Sequence, residues 1–202
     1  MVIGISGKIR SGKSRVAKTI NNILEKNGKT GVVKSFAQPL YEIISEMYDN
    51  DIETIKRDKQ AKLPVYINTR QTQSGFKLSN YREILQIIGT GARDYGDKDI
   101  WVNALFGCNN EKAVSFFGNN KNSAWIIDDL RFPNEAKRIR ECNGILIRVE
   151  REKHQPNDHV IENSLNDWKD WNLVIENNFA TKKKRNKGLK KILENYLTGV
   201  LV

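Results

Sequence analysis

Eight residues near the start of the chain, Gly7-Lys8-Ile9-Arg10-Ser11-Gly12-Lys13-Ser14, have the spacing G-x-x-x-x-G-K-[ST]. They follow the apolar run Val2-Ile3-Gly4-Ile5 and precede a helical pattern, the strand–loop–helix setting that a phosphate-binding loop requires. Glycines let successive N–H groups curl around phosphate oxygens, and a helix opening near Lys13 adds the positive end of its dipole. Lys13 then reaches the outer phosphates of a nucleoside triphosphate, and Ser14 offers its hydroxyl to Mg²⁺. Lys8, Ile9, Arg10, Ser11 and Arg15 border the same site. A glycine turn that merely joins a strand to a helix is the alternative, and the flanking pattern disfavours it.

Asp128 and Asp129 end the apolar run Ala124-Trp125-Ile126-Ile127. Open α/β sheets place ligands at the carboxyl ends of such strands. In a phosphate-loop protein a carboxylate there holds Mg²⁺, directly or through water. The residues alone leave Asp128 and Asp129 as alternatives, since one of them can instead cap the helix that Pro133 opens. No Asp-Glu pair stands here, which argues against a motor ATPase that activates water.

Arg10, Arg82, Arg93, Arg131, Arg148 and Arg151 are candidate phosphate contacts, because guanidinium is planar, always charged and bidentate. No general base stands out. A phosphate monoester has a second pKa of about 6, so an acceptor monophosphate is mostly dianionic at neutral pH and attacks without giving up a proton. Such chemistry needs water excluded, and Asp49 to Leu78 and Arg151 to His159 are the segments available to close over it. His154 and His159 are the two histidines and lack metal-ligand spacing.

These groups must be carried by strands and helices in alternation. Val16, Ala17, Ile20, Ile23 and Leu24 recur at helical spacing up to a cap at Gly28, and Val32 to Phe36 reads as a buried strand. Pro39 suits the first turn of a helix with Leu40, Ile43, Ile44 and Met47. From Asp49 to Leu78 the pattern weakens around Pro64, Gln71 and Gly75. A helix with Tyr81, Ile84, Leu85 and Ile88, capped by Ser79 or Asn80, is expected to break at Gly89 and Gly91. Another starts near Asp99 with Trp101, Val102 and Leu105, and Asn119 to Ser123 is a turn. Pro133 to about Cys142 is helical. Ile145 to Val149 and Trp171 to Ile175 are strands, and Leu189, Ile192, Leu193, Tyr196 and Leu197 mark a terminal amphipathic helix. Alternation of this kind predicts an α/β fold with a largely parallel sheet covered on both faces.

The 202 residues suffice for one such domain with a small insertion. No apolar run approaches membrane-spanning length, and the N-terminus has no signal-peptide core, which places the protein in the cytoplasm. Cys108 and Cys142 are isolated thiols, the pattern of a reducing compartment. A net charge of +10 points to anionic partners. Part of it lies in Lys182-Lys183-Lys184-Arg185, Lys187, Lys190 and Lys191; that run reads as a solvated face and leaves weak nucleic-acid binding open.

Several further stretches carry a resemblance. They are Gly4-Ile5-Ser6-Gly7-Lys8, Ser35-Phe36-Ala37-Gln38-Pro39-Leu40, Arg82-Glu83-Ile84-Leu85-Gln86 followed by Gly89-Thr90 and Arg93, and Ile100-Trp101-Val102. Asp129-Leu130-Arg131-Phe132-Pro133-Asn134-Glu135-Ala136 is the most specific, with His159-x-x-Glu162 and Ile175-Glu176-Asn177 beyond it. Together they resemble the deoxynucleoside monophosphate kinases of tailed bacteriophages over nearly the whole chain. Gln38 replaces that family's Asp, and Ile161 replaces its Ser, so base preference is the property most open to change.

The resemblance implies a single phosphate-loop kinase domain over residues 1–202 with an adenylate-kinase-like three-layer fold. It implies an acceptor-binding insertion at about 38–100 and a lid-like segment within about 131–160. ATP would be the donor, with Mg²⁺, and a deoxynucleoside monophosphate the acceptor, with no nucleic acid or membrane required and a homodimer left open. Gly7 to Arg15 would hold the donor. Lys13, Arg10, Arg93, Arg131 and Asp129 would act in catalysis, and Ser14 and Asp129 on the metal, so the resemblance favours Asp129 over Asp128. Phe36, Gln38, Arg82, Gln86, Thr90, Arg93, Trp101 and Arg131 would surround the acceptor. The competing readings are another small-molecule kinase on this scaffold, such as a dephospho-coenzyme A kinase, and a nucleic-acid-stimulated ATPase.

Overall fold

Strand β1 (Val2–Ser6) is buried along its whole length, as a strand covered on both faces must be. It lies in the middle of a parallel five-stranded sheet of order β2-β5-β1-β6-β7, where β2 is Thr30–Lys34, β5 Ser123–Leu130, β6 Ile145–Glu150 and β7 Leu173–Glu176. The computed structural model describes residues 1–58, 65–67, 77–151 and 163–201. The chain forms two compact units, Met1–Phe36 with Phe106–Val202, and Ala37–Leu105.

In the first unit the alternation of the strands sorts side chains to two faces. Ile3, Ile5, Ile126, Ile147 and Val149 share one core with Val16, Ile20 and Leu24 of α1 (Lys13–Lys26) and with Leu189, Leu193 and Leu197 of the C-terminal helix. On the other face Gly4 admits α7 (Pro133–Glu141): a Cβ there would lie 2.5 Å from Ile139 Cδ1. Trp125 on that face meets Phe116 and Phe117 of α6 (Glu111–Asn119), both with ring centroids 5.3 Å away. Three layers result, helices–sheet–helices.

The second unit packs α2 (Gln38–Tyr48) and α3 (Ile52–Asp58) with α4 (Tyr81–Asp94) around Leu40, Tyr41, Ile44, Ile55, Tyr81, Ile84 and Trp101. Strands β3 (Val65–Ile67) and β4 (Lys77–Ser79) pair antiparallel. Helix α5 (Ile100–Phe106) follows α4, and α8 (Lys182–Leu201) closes the chain.

Four expectations change. Strand β2, expected to be buried over Val32 to Phe36, is Thr30–Lys34 at the sheet edge, with Val33 exposed. Helix α4 runs straight through Gly89 and Gly91. Each glycine costs a helix about 1 kcal/mol relative to Ala, but Gly89 faces Leu40 closely and its carbonyl accepts the Trp101 indole N–H at 3.0 Å. Helix α3 forms inside the stretch of weakened pattern, capped where the Asp51 carboxylate accepts the Thr54 amide at 2.8 Å. Helix α6 occupies a stretch where no helix is expected. Pro64, Gln71 and Gly75, and the part of the proposed lid that holds His154, His159, Ile161 and Glu162, lie outside the described residues. None of the described helices is long and apolar enough to cross a membrane.

Candidate active site

The loop after β1 sits at the carboxyl edge of the sheet. There the chain runs through α1 to β2 on one side, and through α7 from β5 to β6 on the other, so this is a topological switch point. Arg10 takes a left-handed conformation at φ 60° and Gly12 another at φ 107°, which only glycine adopts at little cost. The Ser11 amide donates to the Lys8 carbonyl at 3.1 Å, and Gly12 accepts from Val16 to begin α1. A Cβ on Gly7 would lie 2.4 Å from the Val149 carbonyl oxygen. The Lys13 ammonium curls back to donate to the carbonyls of Gly7 and Lys8, the latter at 3.0 Å. A cation is thereby held inside a ring of backbone at a helix N-terminus, where anions are stabilised. Ser14, in the first turn of α1, is exposed.

Two residues outside the loop brace it. Arg151 donates to the Arg10 carbonyl at 3.4 Å. Asn177, just past β7, is 2 % exposed and donates its side-chain amide to the Ser11 carbonyl at 2.6 Å.

The two aspartates are separated by a bulge. Gly4 pairs with Ile127 but Ser6 pairs with Leu130, so β5 carries one extra residue at Asp128 and Asp129. That extra residue puts Ile127 and Leu130 on the same face, and such bulges re-aim side chains beside functional sites. Asp129 turns to the end of β2, accepting the Ser35 hydroxyl at 2.6 Å and the Phe36 amide at 3.1 Å. The Asp128 carboxylate makes no hydrogen bond or ion pair among the described residues.

Arg131 follows β5 with an exposed side chain. Its amide donates to the buried Glu135 carboxylate at 2.7 Å, as does the Phe132 amide at 3.0 Å. Glu135 thus satisfies two N–H groups at the entry to α7, and Pro133 supplies the first turn. Arg148 is enclosed rather than presented: it donates to Ser6 Oγ at 3.2 Å, lies 3.6 Å from Glu150 and stacks over Trp171.

In the second unit Arg82, Gln86, Thr90 and Arg93 all lie on α4. Their spacing of four, four and three places them within an arc of about 80°. Arg82 and Thr90 are exposed; Gln86 and Arg93 are half-buried. Gln38 begins α2 and donates to Glu42 at 3.0 Å. Phe36 and Trp101 are core residues, 3 % and 8 % exposed, Phe36 stacked on Phe106 and Trp101 tied to Gly89. Sequence reasoning assigned no role to Asn177, Glu135 or Ser35. Each acts on backbone or on another side chain, and no residue spacing signals that.

No protein-family model matches the chain. Among solved structures it aligns with shikimate kinase from Aquifex aeolicus at a TM-score of 0.40 and 14% identity, covering 100% of this chain and 99% of that one. Among curated proteins it is 27% identical over 191 residues to one of Acanthamoeba polyphaga mimivirus described as "Putative deoxynucleotide monophosphate kinase", covering 88% of this chain and 89% of the relative. A phosphate loop on a parallel three-layer α/β fold thus belongs to a chain similar, over most of its length, to a viral protein described as a nucleotide kinase.

Proposed function

We propose that the protein is an ATP-dependent phosphotransferase that moves the γ-phosphoryl group of ATP to a deoxynucleoside monophosphate, giving ADP and the deoxynucleoside diphosphate. The observation that carries this is the loop of residues 7–14 at the carboxyl end of β1, with the Lys13 ammonium drawn to the carbonyls of Gly7 and Lys8. The similarity to the mimivirus protein supports the choice of acceptor.

In this reading the loop amides and Lys13 hold the donor's phosphates. An oxygen of the acceptor monophosphate attacks the γ-phosphorus, and the bond to the β–γ bridging oxygen breaks. ADP leaves, and no protein base takes a proton. Arg10 and Arg131, exposed in the first unit, stabilise the charge that spreads over the transferring group. Arg82, Gln86, Thr90 and Arg93 offer the acceptor nucleotide a cationic and amide-bearing stripe along α4. Phe36 and Trp101 contribute as packed supports of the backbone near them.

The donor set suits Mg²⁺ in its oxygen chemistry: the Ser14 hydroxyl and the β5 carboxylates are hard ligands. Mg²⁺ is commonly held by one or two protein oxygen ligands together with water and substrate phosphates rather than by a protein cage. When bound, the ion neutralises charge on the β- and γ-phosphates. Ser14 and Asp129 are the residues that would hold it.

Incubating the protein with ATP, Mg²⁺ and each deoxynucleoside monophosphate in turn tests the proposal. ADP should accumulate only with one or a few acceptors; equal ADP release without any acceptor would refute it.

A further inference from the structure

Asn177 draws attention because its side chain is 2 % exposed and its amide is spent on one main-chain carbonyl of the phosphate loop. Its backbone is fixed as well, the Asn177 N–H donating to the Glu150 carbonyl at 2.7 Å. The pinned carbonyl belongs to Ser11. In a trans peptide the C=O and the following N–H point in opposite directions, and no cis peptide occurs among the described residues. Fastening the Ser11 carbonyl toward Asn177 therefore turns the Gly12 N–H away from Asn177. The fit leaves no slack: a Cβ on Gly12 would lie 2.3 Å from Asn177 Nδ2. Gly12 is thus required for space as well as for its φ.

We infer that Asn177 is a positioning residue for phosphate binding. From the end of β7 it sets the peptide plane between Ser11 and Gly12, and so the direction in which the Gly12 amide meets an anion. This rests on the proposed function only in taking the loop as a nucleoside triphosphate site; it holds whatever the acceptor. Oriented amides stabilise phosphate because they need no reorganisation when it arrives. Losing the anchor should therefore appear in donor affinity first.

The test is direct titration of the full-length protein with ATP and Mg²⁺, alongside Asn177→Asp and Asn177→Ala. Asn177→Asp keeps the shape but turns a donor into a charge facing a carbonyl; Asn177→Ala removes the donor without adding charge. Both should weaken ATP binding at least tenfold at pH 8 while each retains a cooperative thermal transition. As the pH is lowered toward 5, Asn177→Asp should recover affinity relative to the wild type, because a protonated carboxyl can donate to Ser11 again; Asn177→Ala should not. An asparagine that only stabilised the fold would lower the thermal transition of both variants and leave the ATP affinity of the folded protein unchanged. Wild-type affinity in either folded variant, or loss in Asn177→Asp without recovery, would overturn the inference. If Asn177→Asp fails to fold, the affinity of Asn177→Ala decides it. A wild type that binds ATP yet phosphorylates no monophosphate would sink the proposed function and leave the role of Asn177 standing.

Discussion

At the scale of single residues, Lys13 and the two aspartates carry different kinds of load. Lys13 is half-buried, at the head of α1, and donates to the loop carbonyls of Gly7 and Lys8; Lys13→Ala should leave the protein folded. It should lower turnover by a factor on the order of 10² or more, as removing one preorganised charge from a transition state typically does. Steady-state ADP formation would read this, and near-normal turnover would contradict the site. Asp129 also has a structural task. Removing it takes the acceptor from the Phe36 amide, at a buried residue, and one from the Ser35 hydroxyl, and an unsatisfied buried donor costs about 1–3 kcal/mol. Urea unfolding should show Asp129→Ala roughly 2 kcal/mol less stable than the wild type, and Asp128→Ala changed by less than about half of that. Equal losses would contradict the assigned geometry. The place of Lys13 at the head of α1, in the loop of residues 7–14, was legible because it depends on spacing alone. That Asp129 turns to the end of β2 was not legible from residue types, since a one-residue bulge decides it; only the family resemblance had set Asp129 apart from Asp128.

At the scale of elements, α4 shows why local preference and final structure part company. Its start is written in the sequence, the Asn80 side chain accepting the Glu83 amide at 3.0 Å. Its continuation past Gly89 is not, because the contact with Leu40 and the bond from Trp101 come from elsewhere in the unit. Gly91 has neither: a Cβ there meets nothing within 4 Å. Gly91→Ala should therefore stabilise the protein by about 0.5–1 kcal/mol through helix propensity and a less mobile unfolded chain. Gly4→Ala should destabilise it by about 1–3 kcal/mol, since Ile139 must move. Thermal melts of the pair should shift in opposite directions; shifts of the same sign would contradict the packing of α7 on β1. Helix α6 has a pH-sensitive start. Glu111 accepts the amides of Asn109 and Cys108, and the bond from Asn109, with its own amide and then that of Cys108, holds its carboxyl below the usual glutamate range. A lowered folded pKa gives stabilisation that is present above the unfolded value and lost as pH falls through the folded one. The Cys108 and Asn109 amide resonances should move together in that acid range, and Glu111→Gln should abolish the transition.

For the whole molecule, the alternation of strands and helices was enough to anticipate a parallel sheet with helices on both faces. The composition also announced a basic chain, and the structure shows where part of that charge resides. On α8, Leu189, Leu193 and Leu197 are buried in the core while Lys183, Lys184, Lys187, Lys190 and Lys191 stay exposed. That helix is a structural member of the sheet's cover before it is anything else. The central claim is that a phosphoryl group goes to a small acceptor. Following the labelled γ-phosphate of ATP, with single-stranded DNA and with each deoxynucleoside monophosphate as separate additions, tests it most directly. The account predicts label in a deoxynucleoside diphosphate, dependent on Lys13 and indifferent to DNA. Label appearing as inorganic phosphate, stimulated by DNA and with no diphosphate formed, would contradict it.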